Sequence, residues 1–265
     1  MGLRTMADQR LDILFTAPHP DDLEIGMGGT IAKMVKLGHR VGMLHMTSGE
    51  PTPRGTPETR VQEARAAAEI LGVQFWDILP LANRELMDSP KARYKIATVI
   101  RRHRVKILVT MAGRTPGASP DHYQAQLLSE ASRFYAQLTK WNDRFDDTQP
   151  LRVDHLVYRP VPFAAEIHHY PSRFVVDITD TIDTKIEAIA CYGSQFDDAR
   201  LERVTHYVRS IAGAEGASAG YAYGELYALP RPIGTTDVVR MLGEWSVPPP
   251  FTQPEDYPGT LNWVI

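Results

Sequence analysis

The chain has 265 residues, with 29 Lys and Arg against 32 Asp and Glu and a single cysteine. A formal net charge of −3 supplies no general field for nucleic acid or an anionic membrane, so any anion recognition must be local. Cys191 alone excludes an intrachain disulfide framework and fits a reducing compartment; within I-E-A-I-A-C it is expected as a buried small hydrophobe. The N-terminus lacks an apolar signal-like core and no apolar stretch approaches the ~20 residues that span a bilayer, so a soluble, cytoplasmic protein is expected.

In chain order, apolar runs at 11–16, 41–47, 73–79 and 106–111 read as strands, and helix-period segments at 23–37, 57–71, 90–103 and 121–139 alternate with them. Gly38 and Gly72 sit where glycines end helices, and Thr56-Pro57 and Ser89-Pro90 read as an N-cap followed by proline in the first turn. Two further strands, 155–160 and 174–178, precede helices at 181–195 and 199–211. The tail from Gly213, rich in Gly, Pro and aromatics, is expected to wrap the surface or a neighbouring subunit. The pattern predicts a single α/β domain over residues 1–265. Its sheet is Rossmann-like and mostly parallel, with helices on both faces and an extended C-terminal segment.

In such sheets ligands sit beyond the carboxyl ends of strands where strand order reverses. The stretch A-P-H-P-D-D-L-E-I-G-M-G-G-T at residues 17–30 lies there, and if the first and fourth strands are neighbours, the A-S-P-D-H loop at 118–122 converges on it. The glycines at 26–29 suggest dinucleotide binding, but their spacing is not G-x-G-x-x-G, and Asp21, Asp22 and Glu24 would repel a pyrophosphate. Close packing of the first helix explains them better. A metal reading uses the acids: His19 and Asp22 in a turn stiffened by Pro20, with His122, would make a three-ligand zinc site with one open position. Asp21 can then sit within reach of the water such a site activates.

These residues resemble the zinc-dependent LmbE-like (PIG-L) N-acetylglucosaminyl deacetylases. Residues 12–33 look particularly like the bacillithiol-pathway branch, which acts on N-acetylglucosaminyl malate. Further matches are T-S-G-E at 47–50, R-x-x-E at 60–63, L-P-L-A-N-R-E-L at 79–86, P-D-H at 120–122, F-V-V-D-I-T, K-I-E-A-I and Y-G-S-Q-F, with a looser one at 220–227. The resemblance implies Zn2+ held by His19, Asp22 and His122, Asp21 as general base, Arg60 in contact with the sugar or its aglycone, and a homo-oligomer, a hexamer being one form. From the residues alone, Arg60 reads equally as an exposed helix residue paired with Glu63. Glu50 reads as a surface acid or a sugar-hydroxyl acceptor. His45, His155, His168 and His169 are not expected as ligands.

One departure is specific. The family's H-P-D-H motif places a histidine where this chain has Ser119, so an oxyanion donor is changed. Ser119 and Asp121, the latter orienting nearby groups, therefore join Asp21 as candidate catalytic residues, and His168 or His169 could replace the lost donor. The expected activity is removal of an N-acetyl group from an N-acetylglucosamine-type conjugate by zinc-activated water. The expected partner is that small molecule, with no nucleic acid and no membrane. The alternative is a weak or non-catalytic sugar- or metal-binding protein on the same scaffold.

Overall fold

The structure, a computed structural model, describes residues 10–162 and 169–243. Seven strands form one sheet: β1 (Ile13–Ala17), β2 (Val41–Thr47), β3 (Phe75–Leu81), β4 (Ile107–Ala112), β5 (His155–Pro160), β6 (Ser172–Asp177) and β7 (Gly224–Leu229), in the order β3-β2-β1-β4-β5-β7-β6. The β1–β2, β2–β3, β1–β4 and β4–β5 pairs are parallel, and only β7 runs against its neighbours. The first and fourth strands are adjacent, as the loop argument requires, with Ile13 opposite Ile107 and Thr16 opposite Thr110.

The helices are α1 (Asp22–Lys36), α2 (Pro57–Leu71), α3 (Pro90–Arg102), α4 (Asp121–Tyr135), α5 (Ile182–Ala190), α6 (Asp198–Ala217) and the short α7 (Val238–Gly243). Thr56 and Ser89 cap α2 and α3 by accepting from the Thr59 and Ala92 amides, and Gly72 ends α2 at φ 72°, where a side chain would be strained. Successive strand residues feed opposite faces: Leu14, Leu44 and Leu108 pack with α3 and α4, whereas Phe15, Met43 and Val109 pack with α1 and α2. Burial on both faces explains the near-continuous apolar strands.

Two sequence expectations change. The tail segment around residues 220–227 does not wrap the surface; its end is β7, inserted between β5 and β6. A glutamate in a short strand argues for exposure, but Glu225 is wholly buried because Lys185, 2.6 Å away, neutralises it. Cys191 is only partly buried, because α5 ends one residue before it. The remaining C-terminal residues, 244–265, lie outside the described residues. Among the described residues no helix is long and apolar enough to cross a membrane.

Glycines in α1 cost about 1 kcal/mol each relative to alanine, and the packing accounts for two of them. A Cβ at Gly29 would stand 2.6 Å from Ile178 Cδ1, and one at Gly28 3.1 Å from Lys185 Cγ. The Gly29 and Thr30 amides donate to Glu225 at 3.0 and 2.9 Å. These amides are therefore spent inside the protein, and the dinucleotide reading of G-M-G-G loses its donors.

Candidate functional site

The turn between β1 and α1 is held through three successive carbonyls. Pro18 O accepts from the Thr47 amide and hydroxyl at 2.9 and 3.0 Å, His19 O from His45 Nδ1 at 3.1 Å, and Pro20 O from Arg60 Nη2 at 2.5 Å. Asp21, next in line, has φ 98°, a costly conformation for a residue with a side chain. It does not cap α1; its carboxylate turns to Arg60 Nη2 at 3.4 Å. Asp22 folds back instead, its Oδ2 accepting from the His19 amide at 3.1 Å.

His19, Asp22 and His122 come together, with one potential ligand atom from each lying within 4.8 Å of the others. Asp22 Oδ2 is 3.0 Å from His19 Nδ1, and Oδ1 is 3.4 Å from His122 Nε2. The outward ring nitrogens are also engaged. His19 Nε2 lies 3.2 Å from Asp121 Oδ2, a carboxylate that can only accept, so this nitrogen carries the proton. His122 Nδ1 lies 2.9 Å from Thr115 Oγ1, whose own hydrogen goes to Ser119 O, so this nitrogen also donates. Both imidazoles thus turn their remaining nitrogen, Nδ1 of His19 and Nε2 of His122, inward at Asp22. Two imidazoles and one carboxylate with oriented outer nitrogens are the donor set that zinc takes, so the residues fit the ion.

Without an ion the three groups stabilise one another. Burial disfavours a charged His19, yet Asp22 and Asp121 outweigh it and raise its pKa to about 9. Burial also opposes ionisation of Asp22, but hydrogen bonds from His122 and His19 hold its pKa well below the usual carboxylate range. Asp21 goes the other way: burial and the Asp22 charge push it up to about 7, against Arg60 and His19. Adjacent carboxylates of opposite tendency separate a residue suited to holding charge from one suited to moving a proton.

Asp121, 1 % exposed, also accepts from the Arg84 amide at 2.7 Å, so it ties the loop after β3 to His19. Ser119 Oγ accepts from the Asp121 amide at 3.3 Å at the start of α4, which leaves its own hydrogen free. The site opens into a cleft of about 240 Å³ whose walls include Asn83, Arg84, Ser119 and Gln195. A larger groove of about 560 Å³ follows the outer side of α2 but gathers no comparable set of reactive groups.

Arg60 and Glu50 differ from their exposed readings. Arg60 is 2 % exposed, with its guanidinium over the Tyr192 ring at 5.2 Å and facing Asp21, Glu50 and Glu63 at 3.4, 3.8 and 3.9 Å. A pair with Glu63 exists, but inside the protein. Glu50 is buried too, because both its oxygens accept from Thr52, at 2.6 Å from the amide and 2.8 Å from the hydroxyl. His45 is fully buried and neutral, its pKa lowered to about 4 by burial, and His155 is exposed at the opposite, amino-terminal end of β5. His169 is exposed, and His168 lies outside the described residues. Thr115, Arg84 and Gln195 escaped the sequence reading; N-R-E-L and Y-G-S-Q-F marked two of them as resemblance without a role.

Residues 14–132 match the family model described as PIG-L, GlcNAc-PI de-N-acetylase. A diacetylchitobiose deacetylase of Thermococcus kodakarensis is 31 % identical over 223 residues, 80 % of each chain. The chain belongs to the PIG-L deacetylase family. A conserved protein of Thermus thermophilus has the same fold, with a TM-score of 0.74 and 33 % identity over 85 % of this chain and 97 % of that one. The scaffold also supports other chemistry: a 4-oxalmesaconate hydratase of Pseudomonas putida is 26 % identical over 254 residues, 86 % of this chain and 93 % of its own.

Proposed function

We propose that this PIG-L family member is a zinc-dependent hydrolase that removes the acetyl group from an N-acetylglucosamine-type conjugate. The observation that carries this reading is the convergence of His19 Nδ1 and His122 Nε2 on Asp22, with Asp21 alongside. His19, Asp22 and His122 would hold the ion, which supplies Lewis acidity toward water and toward the acetyl carbonyl. Asp21 takes the proton of the attacking water on its carboxylate and returns it to the departing amine nitrogen. Arg60 keeps that carboxylate turned toward the cleft, and Asp121 keeps the His19 ring in the tautomer that presents Nδ1. The Ser119 hydroxyl, having accepted from Asp121 N, retains its proton for a negative charge developing on the carbonyl oxygen.

The test is metal analysis of the purified protein together with acetate release from N-acetylated glucosides, glucosaminyl malate conjugates among them. About one zinc per chain and stoichiometric acetate are expected, and His19→Ala or His122→Ala should remove both. Full metal occupancy in both variants overturns the ligand assignment. A second reading, addition of water to a carbon–carbon double bond, is favoured by the nearly full-length hydratase match. Water addition to 4-oxalmesaconate without acetate release from any glucoside would establish it instead.

A further inference from the structure

Three arginines line a groove of about 300 Å³ at the amino-terminal end of the sheet, the end opposite the catalytic cleft. Arg10 precedes β1, Arg104 precedes β4 and Arg152 precedes β5; all are exposed, and among the described residues none has an ion pair. The groove holds one further cation, Lys106, which Asp12 neutralises at 2.5 Å, and one carboxylate, Asp154. Other surface arginines are matched, Arg54 by Asp197 at 2.7 Å and Arg102 by Asp146 at 2.8 Å. The groove thus concentrates positive charge in a chain whose formal net charge is −3.

Two further observations bear on it. Helices α1, α2 and α3 each return to the sheet through a left-handed residue: Gly38 at φ 84°, Gly72 at φ 72° and Arg104 at φ 48°. Glycine takes that conformation without strain, yet the third turn carries an arginine, whose Nη1 donates to Pro150 O at 3.1 Å and leaves its other N–H groups for a ligand. Arg133 of α4 donates from Nη2 to Val153 O at 3.2 Å, beside Arg152 in the chain, while its buried Nε has no partner among the described residues. Burial, with repulsion from Arg231 and Arg152, lowers its pKa.

We propose that this groove is a second, non-catalytic site that binds a phosphate-bearing ligand, a phosphate monoester or a diphosphate, through Arg10, Arg104 and Arg152. A guanidinium pairs two N–H donors with two phosphate oxygens, and a multiply charged phosphate answers three arginines where a single carboxylate would offset only part of their charge. The six residues of β4 separate the groove from the catalytic cleft by about 20 Å, so its ligand is not the group undergoing reaction. The proposal does not depend on the deacetylase reading. A soluble phosphate and a phospholipid headgroup share this chemistry, and the experiment tells them apart.

Calorimetry with inorganic pyrophosphate is carried out on the full chain and on His122→Ala, which lacks a residue of the catalytic cleft. Saturable binding of about one pyrophosphate per chain, weakened by added salt, is expected in both. Arg152→Gln should raise Kd about tenfold or more and Arg152→Glu should abolish binding, with the urea unfolding midpoint unchanged, because the Arg152 side chain makes no hydrogen bond among the described residues. Arg10→Gln should weaken binding in the same direction. Flotation with phosphatidylcholine vesicles, with and without phosphatidic acid, assigns the source. Co-flotation that needs phosphatidic acid and is lost in Arg152→Glu identifies a lipid headgroup; pyrophosphate binding without co-flotation identifies a soluble phosphate. Absence of pyrophosphate binding, its loss in His122→Ala, or affinity unmoved in Arg152→Glu overturns the proposal.

Discussion

Helix α1 serves two charged regions, one at a cleft and one wholly buried. At its first turn, Asp21 and Asp22 meet His19, His122 and Arg60; in its middle, the Gly29 and Thr30 amides meet Glu225. The second region is internally complete. Glu225 accepts from both amides, from Lys185 Nζ at 2.6 Å and from the Tyr227 hydroxyl at 3.1 Å, and Arg159 bonds Glu215 at 2.9 Å beside it. The first is open to a cleft: two imidazoles converge on one carboxylate there, and Asp21 keeps a strained backbone with one long contact to Arg60. Unequal burial and unequal satisfaction separate charges that hold the fold together from charges free to meet a ligand.

The largest effect that would sharpen this contrast is on turnover. Asp21→Asn should lower kcat by about 10²–10⁴ while metal content and unfolding midpoint stay near those of the parent, because only proton transfer is lost. Loss of metal instead would show that Asp21 is a ligand. In the complete region the pattern should reverse. Lys185→Met should cost about 3–5 kcal/mol in urea unfolding, since it leaves Glu225 buried without its ammonium partner, yet metal bound per folded chain should not change. A Lys185→Met protein of parental stability would break the comparison.

Asp121→Asn should fall between the two. Metal affinity, measured by chelator competition, should drop about 10–100-fold through misorientation of His19, without the full loss expected for His19→Ala. The smallest effect is on pH. Burial opposes ionisation of Glu225, but Lys185 and Arg159 outweigh it and lower its pKa. Its contribution is therefore present above the unfolded carboxylate value near 4.5 and is lost as pH falls through the lower folded value. The stability gap between the parent and Glu225→Gln should narrow as urea unfolding is moved from pH 7 to pH 3; a constant gap would exclude this linkage.

Much of this contrast is visible in the chain before it folds, though unequally. His19, Asp21 and Asp22 announce themselves because charge at the end of an apolar strand needs an explanation, and His122 follows once β1 and β4 are neighbours. Arg60 does not, because an arginine at an i,i+3 spacing from Glu63 looks solvated in one dimension. Its burial depends on Tyr192, more than a hundred residues later, covering it. Glu225 is hidden for the same reason: Lys185 and the α1 amides reach it only after β7 has been inserted between β5 and β6.

The sequence by itself determined the alternating strands and helices, the caps of α2 and α3, and which three residues, His19, Asp22 and His122, meet at the strand ends, because these depend on local periodicity, turn chemistry and residue type. Tertiary structure alone decided that Arg60 faces inward, that Asp121 joins His19 to Arg84, and that Gly28 and Gly29 make room for Lys185 and Ile178. Each of these is a contact between segments far apart in the chain, and whether a polar group is solvated or buried with a partner depends on which segment arrives opposite it.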